Sequence, residues 1–189
     1  PAGRIFHLHG RILHTVMPVA AADYEQVRAS GLIDALVGDG LLLAEHVIDR
    51  SALGAIAADA SYVLEHPALP FISHPYEWPF PALKAAALLQ LDIVLRALEY
   101  ECALSDASAY NIQFQGTRPV FIDHLSFIPY QAGSFWHAHR QFCEQFLNPL
   151  LLRSLLGVAH NAWYRGSLEG ISTPDLARLL PTRKKLSWN

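Results

Sequence analysis

The amino-acid sequence predicts an α+β fold in two parts, a small strand-rich part over residues 1–75 and a mostly helical part over residues 76–189, packed as one globular unit. Short apolar runs separated by turn residues fill the first part, and longer runs with helical spacing fill the second. Prolines crowd the connector, so Pro70–Pro81 is the best candidate for a hinge. Hydrophobic residues make up 52% of the chain and charged residues 16%, which is enough apolar material for a buried core.

The strand-rich part begins with two extended runs, Arg4–His9 and Arg11–Val16, that a single glycine separates. This pattern predicts a strand pair. A helix is predicted over Ala20–Val37, because apolar residues recur there at helical spacing and glycines follow. Two further extended runs come next, Leu41–Val47 and Tyr62–Phe71.

The helical part is predicted to contain a long buried helix over Ala82–Cys102. Four leucines mark the stripe expected to face the core: Leu88, Leu91, Leu95 and Leu98. A second amphipathic helix is predicted over Trp136–Leu156. A short helix is predicted to start at Thr173, which we expect to be its cap, and to end at Pro181.

The candidate catalytic and metal-binding residues lie in the polar loop and hairpin between these helices. Asp106 and Asn111 are five residues apart, and a predicted hairpin leads from Asn111 to a second acid, Asp123. A loop of the form D-x-x-x-x-N followed by a metal-binding Asp is how kinase-like enzymes hold Mg²⁺ against ATP phosphates. The alternative is structural, because Asp and Asn are common in turns and an Asp at a strand end is often a cap.

In the kinase-like interpretation, each of the three residues has its own role. Asp123 is the main Mg²⁺ ligand, and Asn111 supplies a neutral carbonyl oxygen to the same ion or a second one. Asp106 accepts a proton from the attacking hydroxyl or orients it. The implied cofactors are therefore Mg²⁺ and ATP, and the implied fold is a bilobal kinase-like one with a strand-rich N-lobe and a helical C-lobe.

The phosphate-binding half of such a site is sparse in this sequence. There is no G-x-G-x-x-G, and the first lysine is Lys84, whereas kinase-like sites place a lysine on a strand of the small lobe. Arg4 or Arg11 can replace its charge, and Glu25 on the first helix is the candidate partner. Lys84 can also reach the site from the large lobe. The candidate cofactor-binding residues are therefore Arg11, Glu25 and Lys84.

A resemblance to a known family covers nearly the whole chain. The segment Phe71–Leu152 resembles the N-terminal, kinase-like region of bacterial proteins known as class I SAM-dependent methyltransferases, some of them called nodulation-type. The motifs that carry it are HPYEW, LK-x-A-A-L-L, SDASAYN, FID-x-LSF and RQFCEQFL-x-PL. It extends through SGL-x-x-x-LV at Ser30–Val37 and LARLLP at Leu176–Pro181.

That resemblance implies a kinase-like region followed by a methyltransferase domain that these residues do not include. No strand, glycine-rich turn and acidic strand end of a methyl-transfer site follow one another here. Two functions are therefore open. The chain is an atypical kinase-like domain with a Mg²⁺–nucleotide site, or it is a non-catalytic kinase-like module associated with a methyltransferase domain in the same chain or in another one.

Composition excludes several other classes. A formal charge of −3 and a pI near 6.4 give no electrostatic basis for binding nucleic acid. No apolar run is long enough for a membrane span, and no signal-peptide pattern is present. Cys102 and Cys143 lie far apart and form no C-x-x-C pair, so we expect free thiols and a cytoplasmic location.

Overall fold

The computed structural model describes residues 1–185, without the side chains of residues 52, 55, 56 and 185. An antiparallel sheet in the order β1-β2-β4-β3 dominates the first part. Two-stranded antiparallel pairs, β5 with β8 and β6 with β7, lie in the second. The strands are β1 (Gly3–Leu8), β2 (Arg11–Val16), β3 (His46–Ile48), β4 (Tyr62–His66), β5 (Cys102–Leu104), β6 (Ile112–Gln115), β7 (Arg118–Phe121) and β8 (Phe127–Pro129).

The helices surround these strands, and most of them lie in the second part. In chain order they are α1 (Pro18–Ala29), α2 (Leu32–Gly38), α3 (Phe80–Glu99), α4 (His139–Phe142), α5 (Asn148–Leu156), α6 (Asn161–Gly166), α7 (Thr173–Leu179) and α8 (Thr182–Lys185). The predicted α+β class, with a strand-rich first part and a helical second part, is confirmed. No helix within residues 1–185 combines the length and apolar character needed to cross a bilayer.

The β1–β2 pair forms as predicted and is joined by a tight two-residue turn. His9 and Gly10 both have positive φ, 50° and 78°, as a type I′ hairpin turn requires. The helix predicted over Ala20–Val37 is instead two helices. Gly31, at φ 84°, takes the left-handed conformation between α1 and α2 and redirects the chain.

The long helix α3 is present, but the prediction for its buried face was wrong. The leucine stripe faces solvent: Leu88 is 52% exposed, Leu91 37%, Leu95 63% and Leu98 46%. The opposite face packs on β5 and β7. Its buried residues are Leu83, Ala86, Ala87, Leu89, Gln90, Ile93 and Ala97. The alanines let the strands approach the helix closely, so this face forms the core although the other has comparable leucines.

Hydrogen bonds hold the proline-rich connector against the helical part. Gln113 of β6 bonds both the backbone N–H and the carbonyl of Ser73, at 2.9 and 3.0 Å. Asn161 of α6 donates to the carbonyls of Tyr76 and Trp78 at 2.9 and 3.0 Å. Trp78 is buried edge-to-face against Phe114, so it serves the core.

The helix predicted over Trp136–Leu156 is shorter and interrupted. It begins at His139, and a wide π-helical turn over Cys143–Leu147 separates α4 from α5. The cap of α7 is Ser172 rather than Thr173, because the Ser172 hydroxyl accepts from the N–H of Asp175. Cys102 is buried, Cys143 is half-buried, and both thiols are free.

Candidate functional site

The loop after β5 is fixed in place by side chains from the helix that packs behind it. Gln141 and Gln145 accept from the backbone N–H groups of Ala107 and Ala109, each at 2.8 Å. At the two ends of the segment, the N–H of Ser105 donates to the carbonyl of Ser126 at 2.8 Å. The loop that contains Asp106 and Asn111 is therefore held on a rigid support.

The hairpin brings Asn111 and Asp123 together, as the sequence predicts. Asp123 Oδ1 accepts from the N–H of Leu125 at 3.0 Å, and Oδ2 accepts from the Ser126 hydroxyl at 2.6 Å. The Asn111 amide nitrogen lies 3.5 Å from both Asp123 Oδ2 and Ser126 Oγ. These distances are long for hydrogen bonds, so the Asn111 amide is held only weakly in this orientation. Ser126 is a site residue that the sequence analysis missed.

Asp106 lies on the same side of the molecule as Asp123. Its Oδ1 accepts from the N–H of Ser108 at 2.8 Å, which is the turn-stabilising role expected of an Asp in a loop. Its other carboxylate oxygen makes no hydrogen bond within residues 1–185. Both carboxylate oxygens of Asp123 accept hydrogen bonds from its own loop, whereas Asp106 uses one oxygen in this way and keeps the second available to a ligand.

Asp106 and Asp123 line one open cavity of about 320 Å³. Its lining residues are Ala2, Gly3, His14, Ser105, Asp106, Asp123, Leu125 and Ser126. Gly3 is required at this wall, because a Cβ there would lie 2.2 Å from the carbonyl oxygen of Thr15 and 2.7 Å from His14 Nε2. The lack of a side chain lets the first strand close over the acids.

A second, mostly apolar cleft of about 460 Å³ lies between the β1–β2 hairpin and the start of the connector. Its lining residues are Ile5, His7, Gly10, Ile12, His14, Leu43, His66, Pro67, Ala68, Leu69, Ile72 and Ile122. Ala68 and Leu69 are among these lining residues, and their backbone N–H groups make no hydrogen bond within the described chain.

His14 is shared by the acidic cavity and the apolar cleft. It lies on β2 opposite Leu64 of β4, is 7% exposed and makes no hydrogen bond to residues 1–185. Burial lowers the pKa of His14; the charge of Asp123 opposes this shift, and neighbouring His66 adds to it. His14 therefore offers a ring nitrogen at the junction of the two spaces.

Behind His14, two more histidines continue inward. The ring centres of His14 and His66 are 5.9 Å apart, and those of His66 and His124 are 4.9 Å apart. Burial lowers the pKa of His124 to about 3, with the neighbouring histidines adding to the shift. Its Nε2 lies 3.6 Å from Glu45 Oε2, and burial raises the pKa of that carboxyl. Burial in this interior thus disfavours the charged form of both groups, while the Tyr24 hydroxyl and Arg28 partly oppose the shift of the Glu45 pKa.

The three residues predicted to bind the cofactor lie elsewhere. Arg11 is exposed and makes a bidentate ion pair with Glu65, at 2.6 and 2.7 Å. Glu25 accepts from the hydroxyl of Tyr62 at 2.5 Å, and Lys84 is exposed on α3. None of the three lines either cavity, and they are not brought together with Asp106, Asn111 and Asp123.

The donor set at the acidic cavity fits a magnesium ion. Within residues 1–185, no three His, Cys, Asp or Glu side chains converge to enclose a metal by themselves. Magnesium in nucleotide sites is instead held by one or two carboxylates together with phosphate oxygens and water. Asp123 and the open oxygen of Asp106 are hard donors of this kind on the cavity wall, and the cavity leaves room for water. Asn111 is not among the lining residues and contacts Asp123 through its amide nitrogen.

No family model matches the chain. The chain is similar to the nodulation protein NoeA of Rhizobium meliloti (strain 1021). The two are 48% identical over 187 residues, which is 97% of this chain and 38% of NoeA, so the chain spans about two fifths of that relative. The nodulation-protein part of the predicted resemblance is thereby confirmed. Among solved structures, vaccinia related kinase 3 matches with a TM-score of 0.44 and 14% identity, over 94% of this chain and 67% of that chain.

Proposed function

We propose that this chain is an atypical kinase-like domain that binds a nucleotide together with Mg²⁺. The observation that carries the proposal is the adjacency of two spaces of different chemistry. One is a cavity that Asp106 and Asp123 line, the other is an apolar cleft, and His14 borders both. A nucleotide has this same division, with a flat apolar base at one end and phosphates that need cations at the other.

The base belongs in the apolar cleft. Ile5 and Ile12 of the first two strands provide one wall, and Ile122 lies next to Asp123 at the inner end. The free N–H groups of Ala68 and Leu69 suit the acceptor nitrogens at the edge of a purine. This placement directs the phosphates past His14 toward the acids.

The phosphates belong in the acidic cavity. Asp123 and Asn111 would hold the Mg²⁺, which neutralises phosphate charge that two carboxylates would otherwise repel. Asp106 would accept the proton of an attacking hydroxyl through the oxygen that does not bond Ser108. Ser126 fixes the orientation of the Asp123 carboxylate through the 2.6 Å hydrogen bond.

A second function, a non-catalytic kinase-like module that works beside a methyltransferase domain, is favoured by one specific observation. No lysine or arginine lines either cavity in the described part of the chain, so the permanent cation that catalytic phosphoryl transfer normally uses is missing. The greater length of NoeA is consistent with a further domain beside such a module.

Thermal unfolding with ligands tests the proposal. ATP with Mg²⁺ should raise the melting temperature, ATP without Mg²⁺ should raise it less, and S-adenosylmethionine should leave it unchanged. A shift of the same size with and without Mg²⁺ would refute the metal part of the proposal. No shift with ATP under either condition would refute nucleotide binding altogether.

Turnover then separates the two functions. Release of inorganic phosphate, or phosphorylation of the chain itself, under conditions where Mg²⁺–ATP is bound identifies an active phosphotransferase. Binding without either reaction favours the non-catalytic module. An Asp106→Asn variant is the control, because it keeps the oxygen that caps Ser108 and removes only the proton acceptor.

A further inference from the structure

The outer face of α3 carries an apolar stripe that the fold of a single chain leaves uncovered. Leu88, Leu91, Leu95 and Leu98 follow one another at intervals of three, four and three residues, and their exposed fractions range from 37% to 63%. Isolated exposed leucines are ordinary on protein surfaces, but four in line on one helix are a contiguous patch. The spacing is that of the a and d positions of a coiled coil.

The charges at the two ends of this stripe differ in sign. Lys84 lies one turn before Leu88 on the same face and is exposed. Glu99 lies at the other end of α3, and Glu101 follows just beyond it; both are exposed. Glu99 pairs with Arg96 at 3.3 Å, and Arg96 also pairs with Asp39, so Asp39, Glu99 and Glu101 outweigh one guanidinium and this end is acidic. The stripe is therefore basic at its start and acidic at its end, and each end is complementary to the opposite end of an antiparallel second copy.

We infer that the chain forms a two-fold dimer in which the α3 helices of two copies pack antiparallel along this leucine stripe. In this arrangement, Leu88 of one copy faces Leu98 of the other, and Leu91 faces Leu95. Every layer is a leucine pair, and two-fold symmetry repeats each pair. Lys84 then lies beside the acidic end of the partner helix.

The opposite, parallel arrangement is disfavoured by the same residues. It would place Glu99 next to its own copy at one end and Lys84 next to its own copy at the other, so like charges would meet at both ends. The antiparallel arrangement also opposes the two helix dipoles. The leucine spacing permits both directions, and the charges and helix dipoles select the antiparallel one.

The first test is the concentration dependence of the mass of the chain, measured by sedimentation. We expect a monomer–dimer equilibrium, and Leu95→Glu should weaken the dimer at least tenfold. Val19→Glu is the matched control, because Val19 is an apolar residue on α1 that is 80% exposed and lies off the stripe. A wild-type chain that stays monomeric at the highest soluble concentration would overturn the inference and leave the stripe to a different partner.

Cysteine pairing tests the direction of packing, in a Cys143→Ser background that removes the half-buried native thiol. Leu88→Cys and Leu98→Cys lie about 15 Å apart along one helix. When the two variants are mixed and oxidised, the antiparallel arrangement should yield the mixed disulfide dimer, and each variant alone should yield little. Efficient self-crosslinking of each variant alone would establish parallel packing and refute this arrangement.

Discussion

The two walls of the candidate site are built in different ways. The wall with Asp106, Asn111 and Asp123 comes from a single stretch of chain, and hydrogen bonds from Gln141 and Gln145 hold its loop from behind. The facing wall comes from strands β1, β2 and β4, is mostly apolar and carries histidines where a phosphate-binding lysine is usually expected.

This difference indicates that the two walls would bind different parts of a ligand. The first wall has hard oxygen donors whose positions are fixed, so it is suited to a metal ion. The second wall forms an apolar cleft that can hold a flat ring. It also contributes His14, whose imidazole borders the acids. Affinity for a nucleotide should therefore depend strongly on the metal and only modestly on any side chain of the strand wall.

The largest effect is expected from Asp123→Asn, which should abolish Mg²⁺-dependent nucleotide binding. The variant loses the charge of the proposed metal ligand but keeps an oxygen to accept from the N–H of Leu125. Stability should fall by no more than about 1 kcal/mol. Isothermal titration with Mg²⁺–ATP measures the binding, and thermal unfolding measures the stability.

The matched control is Asp92→Asn, which removes one carboxylate from the exposed face of α3. It should bind as the wild type does. If Asp123→Asn bound Mg²⁺–ATP as tightly as this control, the metal would not lie at the first wall.

The next effect concerns the strand wall and its stability against acid. Burial lowers the pKa of His124 to about 3, below its ordinary value of about 6.5. The native state therefore favours the neutral ring, and stability is lost as pH falls below the unfolded pKa. Between pH 7.5 and 5.5, His124 should cost about 1 to 2 kcal/mol in the free energy of unfolding.

Urea unfolding at the two pH values, without nucleotide or metal, measures this loss. His124→Gln should reduce the slope of the pH dependence whatever its absolute stability, and the lowered pKa values of His14 and His66 contribute the remaining slope. The raised pKa of Glu45 acts in the opposite direction at pH values above its ordinary pKa of about 4.5, so it reduces the net slope, and the contribution of His124 is read from the difference between the wild type and His124→Gln. An unchanged slope in His124→Gln would assign the pH dependence to other groups.

How much of this arrangement the sequence predicts depends on how far apart the residues lie in the chain. Asp106, Asn111 and Asp123 were predicted to meet because one hairpin joins them. His14 was missed because its place depends on pairing of β2 with β4, fifty residues away, and no motif marks it. Arg11 was favoured for its charge, but its partner is Glu65, which the same pairing brings near.

The error on α3 has a different physical origin. Helical spacing shows which residues share a face of a helix, but not which face packs on the core. Helix α3 is apolar on two faces, so spacing alone leaves the choice open. Ala86, Ala87 and Ala97 lie on the buried face, because small residues let β5 and β7 pack close to the helix backbone. Leucine content alone therefore selected the wrong face.

A moderate effect is expected from His14→Ala, which should weaken Mg²⁺–ATP binding about fivefold while preserving its dependence on the metal. We expect the imidazole to donate one hydrogen bond to a phosphate, and His14→Gln should retain part of that bond. Titration of both variants beside His46→Ala separates a local effect from a general one. A loss as complete as that of Asp123→Asn would contradict the expectation that affinity depends more on the metal-binding wall than on the strand wall.

The smallest effect is expected from Arg11→Ala. Arg11 lines neither cavity, and its ion pair with Glu65 is exposed to solvent, where such pairs contribute little to stability. Affinity for Mg²⁺–ATP should change less than about twofold, and the melting temperature should hardly move. Glu65→Gln breaks the same ion pair and frees the guanidinium, so it is the natural companion variant. A tenfold loss of affinity in Arg11→Ala, without loss in Glu65→Gln, would mean that Arg11 leaves Glu65 to contact the phosphates. The strand wall would then supply a permanent cation that is paired with Glu65 in this structure.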